Sequence, residues 1–299
     1  MTNTSAPTMS ATPNTQVPVA RIKWNLAGAL PMVALMLVGY VVPGLLIFFI
    51  SLGGDPGAWA DFAFDSSKYV ATFQSGYFWK VLGFTMAVSA GVAVLNAVLA
   101  YPIAFFLARS KSRWVAPCYL ITFTPLAVGM NMLTVGWLIM LGQSGVVNSV
   151  LMGLGVISDP LPLSYGVSAV VIGLAHVSFT FMVLPLESVL RNIKPALEHA
   201  ATSLGAPAWK VFLTITFPLS LEGVAAGMLI VFMQSCGAFV IPLLLGGSST
   251  VMLPVAIGEQ LTVANDRATA AALSVILTGI ALTVLFIQLR YFNKLKDPA

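Results

Sequence analysis

The sequence contains very little charge. Asp, Glu, Lys and Arg make up 8% of its 299 residues, whereas 58% of the residues are hydrophobic and the mean hydropathy is +0.94. Soluble domains carry about 25% charged residues, because a folded surface has to be hydrated. This shortage excludes a soluble globular domain. It predicts an all-α, polytopic membrane helical bundle, in which helices satisfy the backbone polar groups.

Cysteine and histidine are also scarce, with two of each. Cys118 and Cys236 lie in apolar stretches without a CxxC or a histidine at ligand spacing, so that we expect no metal site and infer no disulfide. The sequence also lacks GxxxxGK[ST], the loop whose backbone amides and lysine neutralise nucleotide phosphates. We therefore predict no cofactor and no catalytic residue, and any ATP must be bound by another subunit.

The net charge of +4 follows the pattern of membrane topology. All of the 14 lysines and arginines except Lys68, Lys80 and Arg267 fall into four short clusters between apolar runs. Lysine and arginine accumulate in the cytoplasmic loops of membrane proteins. The clusters therefore predict cytoplasmic termini in a bacterial inner membrane, with the lipid bilayer rather than a nucleic acid as the surrounding partner.

Six apolar runs reach the length of about 20 residues that a helix needs to cross a bilayer. They are predicted at about 27–50, 81–107, 115–141, 165–188, 219–243 and 268–289. The first run is longer than a signal-peptide core and lacks a clear cleavage site, so that we expect it to stay in the protein. Residues 1–20 contain no charged side chain and are predicted to be a disordered cytoplasmic tail, and residues 21–299 a single membrane domain.

An amphipathic segment at residues 195–218, PALEHAATSLGAPAWKVFLTITFP, separates the fourth and fifth runs. Pro195 can begin a first helix, Gly205 can end it in the left-handed conformation, and Pro207 can begin a second helix. Apolar residues recur at helical spacing along one side of each helix. One side of this segment could therefore dock into a groove of a partner.

This segment resembles the EAA loop in the integral-membrane permeases of bacterial ATP-binding-cassette importers. In that family a Glu-Ala-Ala is followed by a glycine and then a Leu-Pro, and the loop forms coupling helices that contact the cytoplasmic ATPase. The corresponding residues here, together with the neighbouring Glu198, are His199, Ala200, Ala201, Gly205, Ala206, Phe212, Ile215 and Pro218. His199 stands where the family usually has its glutamate.

A second stretch, FVIPLLLGG at residues 239–247, resembles a sequence common in the spermidine/putrescine branch of these permeases. The resemblance implies a type I importer permease fold, a transport subunit rather than an enzyme, and a polyamine or a similar small organic solute as substrate. It also implies partners: two cytoplasmic ATP-binding subunits, a second permease that is expected to be distinct, and a periplasmic or extracellular solute-binding protein.

Polar residues inside the predicted spans are candidates for the translocation path. They are Asn131, His176, Gln234 and Ser235. Neutral polar groups need partners in lipid, and they also serve as hydrogen bonds between helices, so that both roles remain open. Glu187 and Arg191 are spaced i,i+4 at the end of the fourth run, which favours an ion pair over a gating role.

Two other classes of function are compatible with a polytopic membrane protein. An ion-coupled secondary transporter would carry paired ionisable groups or broken helices near the midplane, where His176 is the only ionisable residue that we predict. An intramembrane serine protease could use GQSG at residues 142–145 together with His176. Ser144 lies at the end of a predicted span, and its neighbouring glycines suit a turn, which argues against a nucleophile.

Overall fold

A computed structural model describes residues 26–54, 64–247 and 250–296, and within these ranges all regular structure is helical. The helices are α1 (Leu26–Ser51), α2 (Ser67–Gln74), α3 (Gly76–Arg109), α4 (Val115–Ala127), α5 (Met130–Leu141), α6 (Val146–Gly153), α7 (Val167–Asn192), α8 (Pro195–Ser203), α9 (Ala208–Val211), a π-helical segment (Phe212–Thr216), α10 (Phe217–Cys236), α11 (Val240–Leu245), α12 (Leu253–Thr262) and α13 (Arg267–Lys296). The predicted tail at residues 1–20 lies outside the described residues.

Six segments are long and apolar enough to cross a membrane, which confirms the predicted number of spans. They are Leu30–Ser51, Gly76–Arg109, Met130–Gly153, Val167–Asn192, Ala208–Cys236 and Arg267–Gln288. The chain divides into two compact units, residues 1–45 and 46–299. The first unit contains most of α1, and the second contains every element discussed below.

Helix α7 forms the centre of the second unit, where it packs against α3 and α10. Its buried side chains, among them Met182, Val183 and Leu186, belong to the largest apolar cluster of the described residues. Gly223 and Gly227 of α10 face α7 so closely that a Cβ at Gly223 would lie 3.0 Å from the Cα of Leu186. This GxxxG pair therefore permits close approach of α10 to α7.

A smaller apolar cluster joins the start of α3 to α12 and α13. Beside it, the Lys68 ammonium pairs with the Asp266 carboxylate at 2.8 Å. Asp266 also caps α13, because its side chain accepts hydrogen bonds from the backbone N–H and the hydroxyl of Thr269. The Lys68 hydrogen bond and the Thr269 backbone hydrogen bond lower the pKa of Asp266 to about 2, since both favour the ionised carboxylate.

The third span differs from the predicted run at 115–141. The chain leaves the helical conformation at Val128 and Gly129, so that α4 and α5 are separate helices. Pro125 lies in the last turn of α4 and has no N–H to donate to that turn. Gly129 then caps the start of α5. The segment that is long enough to span is Met130–Gly153, which extends beyond the predicted end at residue 141.

The fifth span also differs from the predicted run at 219–243. It begins earlier, because α9, the π segment and α10 follow one another without a break from Ala208 to Cys236. It ends earlier too, at Gly237, before the short helix α11. A continuous helix would bring the ring of Pro242 against the carbonyl of Ala238, whereas the break places this proline in the first turn of α11.

Candidate functional site

The 195–218 segment begins with a helix that ends at a glycine, as predicted. Gly205 has a φ of +84°, and among the described residues nothing lies within 4 Å of the position that a Cβ would occupy there. The Gly205 N–H donates to the Thr202 carbonyl at 2.9 Å, and the Ala206 N–H donates to the Ala201 carbonyl at 3.1 Å. These two bonds define a Schellman cap, which satisfies the last carbonyls of α8 and turns the chain toward α9.

The second part of the segment runs directly into the membrane helix α10. Pro207 precedes α9, and the Phe217 N–H donates to the Phe212 carbonyl, which is the i→i−5 pattern of a π-helix. Pro218 follows immediately, has no N–H for the carbonyl of Thr214, and would crowd that carbonyl in a regular α-helix. The wider π turn accommodates this proline, and α9 and α10 remain parts of one continuous helical segment.

Glu198 of α8 is turned toward the rest of the chain. Its Oε1 lies 2.7 Å from Nη2 of Arg109, the last residue of α3, and it accepts a hydrogen bond of 2.8 Å from the Thr216 hydroxyl. Arg109 Nη1 also donates to the carbonyl of Ile193 at 3.4 Å. One carboxylate therefore joins α8, α3 and the start of α10, whereas the sequence suggested a contact with the ATPase.

Phe212 is likewise packed inside the chain. Its ring lies 5.7 Å from the Tyr101 ring and 6.0 Å from the Phe105 ring, with edge-to-face geometry in both pairs. Phe217 completes this aromatic cluster at 5.8 Å from Tyr101. The Tyr101 hydroxyl is also hydrogen-bonded to the hydroxyl of Ser220, at 2.8 Å. Phe212 therefore fixes the segment to α3 through apolar contact.

Besides Phe217 of the aromatic cluster, four large apolar side chains of the segment are exposed. They are Leu197, Leu204, Trp209 and Leu213, which we call the docking face, and Leu204 and Trp209 are 88% and 66% exposed. Of the other residues that the resemblance singled out, His199, Ala200 and Pro218 are exposed, whereas Ala201, Ala206 and Ile215 are half-buried. Leu197 and Leu204 lie outside the six spans, where exposed apolar side chains mark sites of interaction, and Trp209 and Leu213 lie at the start of the fifth span.

The predicted ion pair of Glu187 and Arg191 is present, and it belongs to a larger network. Arg191 Nε lies 2.5 Å from Glu187 Oε1, and its Nη2 donates to the Leu107 carbonyl at 3.2 Å. The Tyr119 hydroxyl donates to Glu187 and lies 2.6 Å from Arg191 Nη2. The buried Glu187 carboxylate is thereby compensated, and the network connects α7 with α4 and with the last turn of α3.

The candidate path residues do not form one cluster. His176 accepts a hydrogen bond at Nδ1 from the Trp137 indole at 3.0 Å, which favours a packing role for this histidine. Gln234 and Ser235 line a small cavity where α7 faces the breaks before α5 and α11. Among the described residues, Gln234 Oε1 and Ser235 Oγ have no hydrogen-bond partner.

Asn131 has a different environment from these three. It lies one residue after the start of α5 and is exposed on an apolar span. An amide that faces hydrocarbon without a partner is costly. Asn131 lies next to the break between α4 and α5, and it does not line the cavity that Gln234 and Ser235 line.

GQSG forms a turn between α5 and α6. The Gly145 N–H donates to the Gly142 carbonyl at 2.9 Å, and a Cβ at Gly145 would lie 2.4 Å from the Met140 carbonyl oxygen. Backbone geometry thus requires a glycine at Gly145, which supports the turn over a protease nucleophile at Ser144. Within the described part of the chain, no group of three or more His, Cys, Asp or Glu side chains could hold a metal ion.

Comparison with known proteins decides the class of this protein. Residues 98–297 match the family described as binding-protein-dependent transport system inner membrane component. The chain belongs to this family. It is also 33% identical over 269 residues to the spermidine/putrescine transport system permease protein PotB of Escherichia coli (strain K12), and the match covers 86% of this chain and 97% of PotB.

Solved structures show the same fold at lower sequence identity. A chain of a bacterial ABC transporter involved in alginate import has a TM-score of 0.73 and 18% identity, and the match covers 91% of this chain and 96% of that chain. A second structure, of an alginate transporter in complex with a periplasmic protein that holds an alginate pentasaccharide, has a TM-score of 0.71 and 17% identity over 88% and 91% of the two chains.

As a binding-protein-dependent permease, the protein is a multi-pass inner membrane subunit of an ABC importer with a type I fold, and it is not an enzyme. The matched range includes Arg109, the complete 195–218 segment and both helix breaks. Family membership thus argues against an ion-coupled secondary transporter, although the chain has the broken helices that such a transporter would also show. Arg109 and Thr216 were not predicted from the sequence, because neither lies in a recognisable motif and their contacts with Glu198 are visible only in the structure.

Proposed function

We propose that this permease imports a polyamine such as spermidine or putrescine, or a similar small organic solute. The similarity to PotB supports this substrate class, because it extends over nearly the full length of that permease. The FVIPLLLGG stretch adds support, since it forms α11 and the turn after it, beside the break that ends α10.

We further propose that the 195–218 segment contacts the cytoplasmic ATPase. The observation that carries this proposal is the docking face, which exposes four large apolar side chains on elements tied to α3 and α10. A complete importer would contain two ATP-binding subunits, a second and distinct permease, and a solute-binding protein outside the membrane. In this assembly the ATP-binding subunits hydrolyse ATP.

We also propose that both termini lie in the cytoplasm. Two basic clusters support this orientation: Arg109, Lys111 and Arg113 in the first, and Arg191, Lys194 and Lys210 in the second. The Arg109–Glu198 and Arg191–Leu107 contacts hold the two clusters at one end of the bundle. Lysine and arginine are concentrated on the cytoplasmic side of inner membrane proteins.

In the proposed mechanism, closure of the ATPase dimer moves the docking face, and α8 and α9 pass this movement to the membrane helices. Breaks before α5 and α11 provide points at which the helices can change direction. Asn131 lies beside the first break and would face the translocation path or the second permease, where its amide could find polar partners.

The docking face can be tested by substituting Leu204, whose exposed side chain contributes little to the fold. We expect Leu204→Asp to reduce the amount of ATPase that co-purifies with the permease by about 30-fold, because a lost hot spot costs about 2 kcal/mol. Val263→Asp is the matched control, since Val263 is 81% exposed and lies just beyond α12. Unchanged co-purification of the Leu204 variant would refute the docking assignment.

The substrate assignment needs a separate measurement. Purified transporter and binding protein should show ATP hydrolysis that spermidine or putrescine stimulates at saturating concentration. An uncharged sugar of similar size serves as the control solute. Stimulation by the sugar alone would reject the polyamine assignment without affecting the docking assignment.

A further inference from the structure

We propose that Glu198 and Arg109 form an internal tie that passes movement of the 195–218 segment to α3, with Thr216 connecting the same carboxylate to α10. This inference rests on the proposed coupling function. Glu198, Arg109 and Thr216 would act as positioning residues, since the described contacts of the Glu198 carboxylate are within this chain.

The tie connects three helical elements through one atom, Oε1 of Glu198. Glu198 Oε1 is both the partner of Arg109 Nη2, at 2.7 Å, and the acceptor of the Thr216 hydroxyl, at 2.8 Å. Glu198 lies in the first turn of α8, Arg109 ends α3, and Thr216 ends the π segment. A displacement of α8 therefore pulls directly on the end of one membrane helix and the start of another.

The tie is shielded from solvent, although the segment around it is exposed. The side chains of Arg109 and Glu198 are 19% and 25% exposed, whereas Leu204 of the docking face is 88% exposed. Shielded charge-assisted hydrogen bonds are stronger than pairs in open solvent. Among the described residues, Arg109 Nε has no hydrogen-bond partner, so that the guanidinium depends on Glu198 and on the longer contact with Ile193.

Helix α3 is suited to receive this movement. Its last turn is also held by Arg191, which donates to the Leu107 carbonyl, and the helix continues for 34 residues against α7 and α10. The neighbouring Phe212 cluster also holds the segment to α3, but through apolar ring contacts, whereas the tie is a charge-assisted contact in which two donors share one acceptor. Loss of the tie should therefore uncouple the segment from α3 without detaching the docking face.

The experiment uses the complete transporter with its ATPase and solute-loaded binding protein. We expect Glu198→Ala to lower the ratio of stimulated to basal hydrolysis at least about fivefold, the lower end of typical coupling between sites. The amount of co-purified ATPase should stay at the wild-type level, because the docking face is intact. Thr216→Val should cause a smaller loss, since it removes one donor and retains the ion pair.

Exchange of the two charges separates coupling from folding. Arg109→Glu alone should uncouple hydrolysis, and the combined Arg109→Glu and Glu198→Arg variant should recover at least half of the wild-type ratio. The exchange also keeps the net charge at this end of the bundle. Asp266→Asn is the control, because it removes an ion pair of similar length, 2.8 Å, that does not involve the segment.

The outcomes distinguish this inference from the proposed function. Normal stimulation in Glu198→Ala, or no recovery in the exchanged pair, would overturn the tie while leaving the docking assignment in place. A wild-type chain that neither binds the ATPase nor stimulates it would instead refute the proposed function.

Discussion

Gly205 is the single residue whose backbone conformation most directly shapes the 195–218 segment. Its φ of +84° is in the left-handed region, which costs a residue with a branched Cβ roughly 1–2 kcal/mol. We expect Gly205→Val to reduce binding-protein-stimulated hydrolysis about 5- to 30-fold, the factor that corresponds to this energy. Gly205→Asn is the matched control, because asparagine tolerates the left-handed conformation, and it should retain most of the stimulation.

The valine and asparagine variants of Gly205 differ in backbone preference and not in steric fit, because the site has space for a side chain. No atom of the described part of the chain lies within 4 Å of the added Cβ, so that a loss in the valine variant reflects the backbone and not a clash. Equal activities of the valine and asparagine variants would show that the Schellman cap has no role in coupling.

Asp266 provides a prediction that depends on pH. Its hydrogen bonds from Lys68 and Thr269 lower its pKa from 3.8 to about 2 in the folded protein. A lowered pKa means that the ionised carboxylate contributes stability above about pH 4, and that this contribution is lost as the pH falls through about 2. Because the pair is partly exposed, we expect Asp266→Asn to cost about 0.5–1 kcal/mol at pH 6.

The measurement for Asp266 is the apparent melting temperature of the detergent-solubilised chain from pH 6 to pH 3. The difference between wild type and Asp266→Asn should shrink below pH 4. A difference that stays constant across this range would show that the charge of Asp266 does not contribute to stability.

Residue-level predictions from the sequence were most accurate where the interaction is local. Gly205 and the Glu187–Arg191 pair were predicted because their partners lie within a few residues of the same helix. Glu198 was assigned to the ATPase because its partner Arg109 is 89 residues away in sequence and no local pattern links the two. Burial of a charge by distant elements depends on packing, which the sequence of one segment does not specify.

At the scale of helices, the contact between α7 and α10 depends on two glycines. A Cβ at Gly223 would lie 3.0 Å from the Leu186 Cα and 3.1 Å from the Pro185 carbonyl oxygen, and these backbone atoms cannot easily move. We expect Gly223→Ala to destabilise the chain by about 1–3 kcal/mol, the usual cost of overpacking. Its apparent melting temperature in detergent should fall accordingly.

Gly91 of α3 is the control for this helix contact, since nothing in the residues that the structure describes lies within 4 Å of a Cβ there. Gly91→Ala should raise the stability by about 0.5–1 kcal/mol, because alanine loses less backbone entropy in a helix. Stability changes of the same sign in Gly223→Ala and Gly91→Ala would contradict the close approach of α7 and α10.

The number of membrane spans was predicted correctly from the sequence, but the breaks within the predicted third and fifth runs were not predicted. Hydropathy identifies six apolar runs, but it does not distinguish a straight span from two helices with a break. Both breaks lie close to a proline, Pro125 or Pro242, yet Pro102 and Pro185 lie within continuous helices. Whether a proline interrupts a membrane helix depends on neighbours that can satisfy the freed carbonyl, and this requires the tertiary structure.

At the scale of the whole molecule, one end of the second unit is connected by polar contacts and carries an exposed apolar face. The Arg109–Glu198 ion pair connects α3 with α8 there, and Arg191, which is paired with Glu187 within α7, donates to the Leu107 carbonyl of α3. Such an end combines rigidity with a surface for a partner. These are the properties that transmission of movement from an ATPase to a membrane bundle requires.

ATP-driven import by the assembled transporter is the central claim, and uptake by reconstituted vesicles tests it most directly. The vesicles would contain this chain, the second permease and the ATPase. The binding protein is added outside, together with labelled spermidine or with the labelled solute that the binding protein carries. We predict accumulation that requires ATP on the ATPase side and that is lost in Leu204→Asp but kept in Val263→Asp. Accumulation by this chain alone, driven by an ion gradient without ATP, would contradict the account.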